Sequence, residues 1–359
     1  MPNSLVTIDM VTREALRIAH EKCQFIGTVD RQYDDSFAKT GAKIGTALRV
    51  RKPNQYTRTT GSRVMSVQDQ TELTGTITLA TQDHVDMRFN SAELALSIDE
   101  ISKRYIEPAM AVLMSGVESD MIAYCTKATY NTAGTAGSPP TDLVALGAAR
   151  AKLNQYLAPK DGNRFVQMNS VTMGGMVNGL KGLFQDSSQI KEQYREGMIG
   201  RTAMADFYEN DRMWTLTNGS DVTGTTDAAA LVTDGGNTID MHTTVAVAAQ
   251  AVGEVFTIAG VYACHPETKA PYSSLQQFTI TAIGASTTTI SPTIYLTGPR
   301  QNVVSSTGAV LATTDFNSKT LTFVGSASTS YVQDLMYHNI WAARAVLRSF
   351  GLVPGRQSN

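Results

Sequence analysis

The longest regular pattern of apolar and polar positions lies in residues 92–130. Its apolar side chains recur mostly three or four positions apart, a spacing that places them on one stripe of a helix. The stripe consists of Leu94, Ile98, Ile101, Tyr105, Val112, Val117, Met121 and Tyr124. We expect this stripe to face the core of one long helix, which would extend on the order of 50 Å at 1.5 Å per residue. A helix of that length is typical of a structural beam.

Pro108 lies inside this predicted helix. A proline in a helix interior removes a backbone hydrogen bond and produces a kink or a break. In the first turn of a helix, by contrast, proline is well tolerated. The sequence therefore allows two interpretations: a kinked helix through 92–130, or a new helix that begins near Pro108.

The N-terminal part of the chain predicts two elements that extend from a core. Residues 9–26 carry a small apolar face at helical spacing, and as an exposed arm this helix would need a partner to bury that face. Residues 41–83 alternate polar with β-branched or aromatic side chains, which predicts an extended β-hairpin. Gly61 marks its tip, and Pro53 favours an edge position for its strand.

The second half of the chain changes from mixed to β-type patterns. Asp142 is a candidate cap for a helix at 143–157, and 163–213 predicts a strand, a helix and a second strand at about 203–208. From 215 to 329, short apolar runs between Gly, Asn and Pro predict a small β-sandwich or barrel. Its strand candidates are 238–247, 253–263, 275–284, 287–296 and 319–324.

Composition narrows the class of protein only a little. Charged residues are 17% of the 359 residues, compared with roughly 25% in typical soluble domains. This low fraction of charged residues suits either a subunit that buries surface against neighbours or an enzyme with a large core. The net charge of -2 does not favour nucleic-acid binding by the whole chain. Three separated cysteines fit a reducing cytosol, and we expect no signal peptide and no membrane span.

The charges are unevenly distributed along the chain. Seven basic residues and no acidic one occur from residue 39 to residue 63: Lys39, Lys43, Arg49, Arg51, Lys52, Arg58 and Arg63. Four aspartates and no Lys or Arg occur in 215–242: Asp221, Asp227, Asp234 and Asp240. The basic run is either a solvated loop or a hairpin that reaches an acidic neighbour. We select as candidate intersubunit contacts Arg49, Arg51, Lys52, Arg58, Arg63, Asp221 and Asp227.

No motif in the sequence indicates catalysis. The glycines of 172–182 have neither the P-loop lysine nor the spacing of a dinucleotide site. The five histidines are scattered, without the spacing of a zinc protease, and no Cys/His cluster or nucleophile elbow occurs. We therefore predict that the chain is not an enzyme, with no catalytic residue, no cofactor and no metal site.

Four stretches, in this order, resemble the major capsid (coat) proteins of tailed bacteriophages, which have the Hong Kong 97-type fold. Residues 43–61 resemble the first arm of the family's extended loop, and 77–113 resemble its return strand and spine helix. Residues 163–213 resemble the start of the axial domain. Residues 252–261 (VGEVFTIAGV), followed by 278–294, resemble two strands of the β-domain that is inserted in one subgroup.

The resemblance implies an α+β fold of the Hong Kong 97 type with an inserted small β-barrel or sandwich. The implied parts are an N-terminal arm at 1–39, an extended β-hairpin loop at 40–83, a peripheral domain with the spine helix at 84–130, the first part of the axial domain at 131–214, the inserted β-rich domain at 215–329, and a return segment of the axial and peripheral domains at 330–359. Relatives usually continue through further peripheral strands after the segment that resembles 331–346, whereas this chain ends soon after it.

For function, the resemblance implies a major capsid protein. Many copies would form hexamers and pentamers of an icosahedral shell around double-stranded DNA, without sequence-specific binding. Scaffolding and portal proteins are the implied partners, the host bacterial cytoplasm is the implied place of assembly, the virion is the final location, and no membrane is involved. Two alternatives stay open: a phage tail or adhesin-like β-rich component, and a hydrolase with a β-accessory domain.

Overall fold

The structure is a computed structural model that describes residues 13–15, 17–18, 23–29, 47–51, 53–61, 67, 72, 74–78, 83–86, 102–180, 201–202, 204–241, 249–285, 287–339 and 349–352. It divides into two units, each described by itself: Met1–Leu48 with Ile77–Ala123, and Arg49–Thr76 with Tyr124–Asn359. The described elements are mostly strands with a few helices, as expected for a mixed fold.

Three helices longer than two turns are described: α1 (Glu107–Lys127), α2 (Leu143–Gln155) and α3 (Ser170–Leu180). Shorter helical segments are Phe25–Thr28, the π-helical Ser102–Ile106 and the 3-10 turn Thr313–Phe316. The strands are β1 (Ala47–Arg51), β2 (Thr74–Thr78), β3 (Arg164–Met168), β4 (Arg201–Thr202), β5 (Ala205–Glu209), β6 (Thr215–Thr217), β7 (Thr223–Thr225), β8 (Gly236–Ile239), β9 (Val255–Cys264), β10 (Pro271–Ile283), β11 (Thr288–Ile294), β12 (Val303–Val304), β13 (Thr320–Phe323), β14 (Ser330–His338) and β15 (Ser349–Leu352).

In the first unit, the described part of the N-terminal segment lies against α1 of the same chain. The backbone N–H groups of Gln24 and Phe25 donate to Oε1 of Glu118, at 2.9 and 2.5 Å. The first N–H groups of a helical turn have no partner within the turn, so Glu118 supplies the acceptor from a distant position. Ile18 and Phe25 are buried. The predicted N-terminal helix therefore needs no second chain to bury these two side chains.

The structure places Pro108 in the first turn of the α-helix α1, which begins at Glu107. Proline is tolerated in that position. The π-helical segment Ser102–Ile106 leads directly into α1, so the described helical run is not interrupted before Pro108. Residues 92–101 of the predicted longer helix lie outside the described residues.

The predicted apolar stripe is not the buried face of α1. Val112, Met121 and Tyr124 are exposed by 69%, 41% and 78%. The fully buried positions of the helix are spaced by four residues and are Glu118, Ile122 and Thr126. Two of these are polar, and a buried polar group needs a hydrogen-bond partner, which Glu118 finds in the N-terminal segment. An apolar pattern does not include such positions, so the predicted face was wrong.

The remaining members of the stripe are partly described. Tyr105 and Val117 are half-buried. Leu94, Ile98 and Ile101 lie outside the described residues.

In the second unit, helices α2 and α3 pack on a six-stranded sheet. Its order is β15-β14-β3-β5-β4, with β6 also paired to β14, and only β3 and β5 are parallel. The core between them includes Leu146, Leu153, Val166, Met176 and Met336. The carboxylate of Asp142 accepts from the N–H groups of Val144 and Ala145, which confirms it as the cap of α2.

A second, antiparallel sheet of seven strands takes all its strands from between Thr223 and Phe323. Its order is β7-β13-β9-β10-β11-β8, and β12 pairs with β9. The two ends meet, because Asp227 N–H donates to Asp240 O at 3.1 Å and Asp240 N–H donates to Ala230 O at 2.8 Å. The sheet thus curls around one apolar core, which contains Phe256 and Phe278.

Four of the five strand candidates correspond to β9, β10, β11 and β13. The fifth, 238–247, overlaps β8 at its start, and residues 242–248 lie outside the described part. Strand β6 falls within the range predicted for the inserted domain, yet it pairs with β14 of the six-stranded sheet. We call residues 218–329, which lie between these two strands, the β-region.

We expect the β-region to fold as an isolated fragment, because it has its own core and attaches to the rest of the unit through the polar side chains Gln276, Gln277 and Thr279. A fragment of residues 218–329 should be soluble, show a β-type circular dichroism spectrum and unfold in one cooperative transition. As a control, Phe278→Ala removes a fully buried ring and should lower the free energy of unfolding by about 3–5 kcal/mol. A fragment without a cooperative transition would contradict this expectation.

The burial observed along α1 predicts a large effect of substitution at one apolar position and a small effect at another. Ile122→Ala should lower the free energy of unfolding by about 2–5 kcal/mol because it leaves a cavity. Val112→Ala, on the exposed side, should change it by only about 0.5 kcal/mol. Urea unfolding of the unassembled chain measures both. An equal or larger loss for Val112→Ala would restore the face predicted from the sequence.

Candidate functional site

The most exposed continuous segment of the second unit is the described part of the connection between β1 and β2. We call residues 53–61 the arm. Every residue of the arm is exposed, and Tyr56 exposes 59% of its surface. The arm has no regular secondary structure, so its backbone groups are not paired in a sheet ladder. Another surface would be needed to bury it.

The basic candidates lie on or next to this arm. Arg58 is an exposed residue of the arm. Arg51 is exposed at the end of β1, and its Nη1 lies 4.0 Å from Oε2 of Glu72. An exposed pair at this distance contributes little stability, about 0–1 kcal/mol. Arg49 is described only as a residue of β1, and Lys52 and Arg63 lie outside the described residues.

The acidic candidates lie in the β-region, where they also support local turns. Asp221 accepts from the N–H and the hydroxyl of Thr223, at 3.1 and 3.3 Å. Asp227 is half-buried, and its carbonyl accepts from Ser318 N–H. Within the described part of one chain, Arg51 and Arg58 do not contact Asp221.

The β-region is acidic as a whole. It contains seven Asp or Glu residues and three Lys or Arg residues. The segment from residue 39 to residue 63 contains only basic charged residues. Opposite charges on separate surfaces of one chain permit complementary contacts between copies.

A buried histidine and an exposed carboxylate form a close pair in the second unit. His338 lies at the end of β14, and its Nε2 is 2.8 Å from Oδ1 of Asp161. Hydrogen bonds from Asn163 N–H and from His338 lower the pKa of Asp161 from 3.8 to about 2. The pair joins the turn before β3 to β14, and this role is structural.

Other polar groups, some of them buried, also hold the backbone in place. The hydroxyl of Ser170 donates to Asp211 at the first turn of α3, and Asn169 N–H donates to Asp334 at 3.0 Å. The Gln167 amide bridges Tyr337 and Asn210, at 3.0 and 2.8 Å. None of these groups was singled out from the sequence, since Asn, Gln, Ser and Asp carry no spacing signal when their partners are distant in the chain.

Two of the described thiols, those of Cys125 and Cys264, are weak nucleophiles. Burial raises the pKa of Cys125 to about 11 and also raises the pKa of Cys264. A thiol with a raised pKa is protonated at neutral pH. Across the described ranges, no group of three or more His, Cys, Asp or Glu side chains could hold a metal ion. None of the described helices has the length and apolar character needed to cross a membrane.

Comparisons with known proteins find a partial likeness to solved structures. No protein-family model matches the chain, and no curated protein matches it. Nine chains of solved structures match, among them one from Mycobacterium phage Che8. The match is 18% identical, covers 53% of this chain and 69% of that chain, and has a TM-score of 0.40. A TM-score of this size is too low to show a shared fold.

The lowered pKa of Asp161 predicts a pH dependence. A carboxyl group whose pKa is lower in the folded chain stabilises that chain above its unfolded pKa, here near 3.8, and this contribution is lost as the pH falls towards 2. Asp161→Asn should therefore flatten the pH dependence of the free energy of unfolding between pH 3.8 and pH 2. Urea titrations of both chains at several pH values measure the slope, and an unchanged slope would contradict the assignment.

Proposed function

We propose that this chain is a structural subunit whose copies assemble into the closed head shell of a tailed phage around double-stranded DNA. The sequence resemblance motivates this proposal, and the exposed arm is the structural observation that supports it. The proposal contains no catalytic step. Hexamers and pentamers of the chain, together with scaffolding and portal proteins, are the proposed partners.

The arm supports assembly because it leaves a continuous run of side chains exposed to solvent. Its nine residues are all exposed, among them the aromatic Tyr56 and the basic Arg58. Burying a tyrosine ring and pairing an extended backbone both favour association once a second surface is present. A second copy provides such a surface with the right charge, since its β-region is acidic.

The β-region favours a second candidate, a tail or adhesin-like component. It is a curled sheet with a core of its own, a property shared with modules of extended fibres. The two candidates differ in the geometry of assembly. A shell needs contacts that close, whereas a fibre needs contacts that repeat along an axis.

Expression of the chain alone and together with the genes that neighbour it distinguishes these outcomes. Size-exclusion chromatography and negative-stain microscopy should show hollow closed particles in at least one of the two conditions. Fibres would support the tail or adhesin-like candidate. A monodisperse monomer under both conditions would overturn the proposal.

Charge reversal on the arm tests its role. Arg58→Glu should leave the circular dichroism of the monomer unchanged, because the side chain is exposed, and should reduce the yield of particles. A single exposed pair is worth only about 0–1 kcal/mol, but a shell repeats it in every subunit. Lys160→Glu, at an exposed position outside the arm, is the matched control and should assemble normally. Equal yields from both variants would refute the role of the arm.

A further inference from the structure

The chain enters and leaves the β-region at neighbouring points. Thr217 of β6 pairs with Ser330 of β14, and the next residue, Asn218, donates its N–H to Thr329 O at 3.0 Å. The side-chain amide of Asn218 also donates to the carbonyls of Val324 and Ser326, at 3.0 and 3.2 Å. The two connecting segments are therefore bonded to each other and not only to the sheets on either side.

We call these two connecting segments, around Asn218 and Thr329, the junction. A buried carboxylate links the junction to the start of β9. Glu254 is 1% exposed, and its oxygens accept from Gly219 N–H at 2.6 Å and from Ala251 N–H at 2.7 Å. Burial raises the pKa of Glu254, while the two N–H groups act in the opposite direction. Burying a carboxylate without hydrogen-bond donors costs free energy. Glu254 therefore favours the arrangement in which the segments around Gly219 and Ala251 both donate to it.

The junction is too closely packed for a hinge to bend freely. A Cβ atom at Gly219 would lie 1.7 Å from Ala249 O. A Cβ atom at Gly253, whose φ is +99°, would lie 2.5 Å from the Trp214 ring. At Gly325, with φ +101°, it would lie 2.7 Å from the amide nitrogen of Asn218. All three contacts involve segments at the entry or exit of the β-region.

A row of polar contacts along β10 forms a second attachment. Tyr272 donates its hydroxyl to Gln155 O at 3.1 Å, and Tyr156 donates its hydroxyl to Gln276 Oε1 at 3.0 Å. The side-chain amide of Gln277 accepts from Thr132 N–H at 3.0 Å and donates to Thr132 Oγ1 at 2.7 Å. We call this row the seam. It extends over roughly 20 Å, because strand residues rise about 3.3 Å each.

The seam ends at the last turn of α1. Thr279 is fully buried and donates its hydroxyl to Lys127 O at 3.2 Å. The last carbonyls of a helix receive no N–H from the helix itself. The Thr279 hydroxyl therefore supplies a donor that the helix does not provide for Lys127 O. The Lys127 ammonium lies 5.4 Å from the centre of the Trp214 ring, just before β6. The last turn of α1 thus contacts both the seam and the junction.

We propose that the β-region is locked to α2 and to the last turn of α1, so that it moves with them as one rigid body and does not swing on its two connections. Domains joined by small polar interfaces usually move relative to each other. Here the interface is polar but largely buried, and a shift of one position would leave buried amide and hydroxyl groups without partners. The lock therefore allows one orientation. In an assembled shell, a movement of the last turn of α1 would displace the whole β-region as a lever.

Distance measurements on the full chain test this lock. Spin labels attached through a noncanonical amino acid at exposed Ala148 of α2 and exposed Val310 of the β-region leave the three cysteines intact. The labelled chain is diluted with unlabelled chain and kept unassembled, so the result does not depend on shell formation. We expect a single narrow distance distribution. A broad or double distribution for the unmodified chain would overturn the proposal, whether or not the chain assembles.

Variants then identify what holds the β-region. The double variant Gln277→Met, Thr279→Val removes the hydrogen bonds at one end of the seam and should broaden the distribution. Thr281→Val is the matched control, because the Thr281 hydroxyl donates to Thr289 O inside the β-region. It should leave the distribution narrow. If the double variant, with an unchanged circular dichroism spectrum, stays as narrow as the control, the seam is not the lock.

Discussion

The pairing of β14 with β3 and β6 is the constraint on which the second unit depends. Ser330 and Thr217, which are 113 positions apart, contact each other through their hydroxyls at 2.8 Å. Once these strands are paired, the chain between them must leave and return at one place. Residues 218–329 can then satisfy their own backbone groups in a separate sheet with its own core. Two cores in one unit follow from this single long-range pairing.

The sequence predicted the elements better than it predicted the faces they bury. Strands β9, β10, β11 and β13 and the Asp142 cap follow from local rules, namely β-branched runs between turns and a short side chain before a helix. The buried face of α1 does not follow from a local rule. Glu118 is buried because backbone donors nearly a hundred positions away reach it. Patterns of apolar residues cannot register a partner at that distance.

The candidate intersubunit contacts were also only partly predictable from the sequence. The unequal distribution of charge is a property of the sequence, and the exposure of Arg51 and Arg58 agrees with it. The aspartates have a second use that composition does not reveal. Asp221 and Asp234 each accept hydrogen bonds from nearby backbone N–H groups. A carboxylate that supports a turn is held in one place, and its remaining lone pairs can still face a basic neighbour.

The β-region and the arm, which connects β1 and β2 of a separate two-stranded sheet, differ in how many contacts their own chain gives them. The β-region is attached through Gln276, Gln277 and Thr279, each of which bonds to a residue outside it in the same chain. The arm is exposed along its whole described length. Association gains free energy only from surface that is still exposed to water before the contact forms. The arm, and not the seam, is therefore where binding to a second copy would gain most, while the locked β-region would present its acidic surface to that copy in a fixed orientation. A binding surface that is already held in one orientation loses less conformational entropy when an extended segment binds to it.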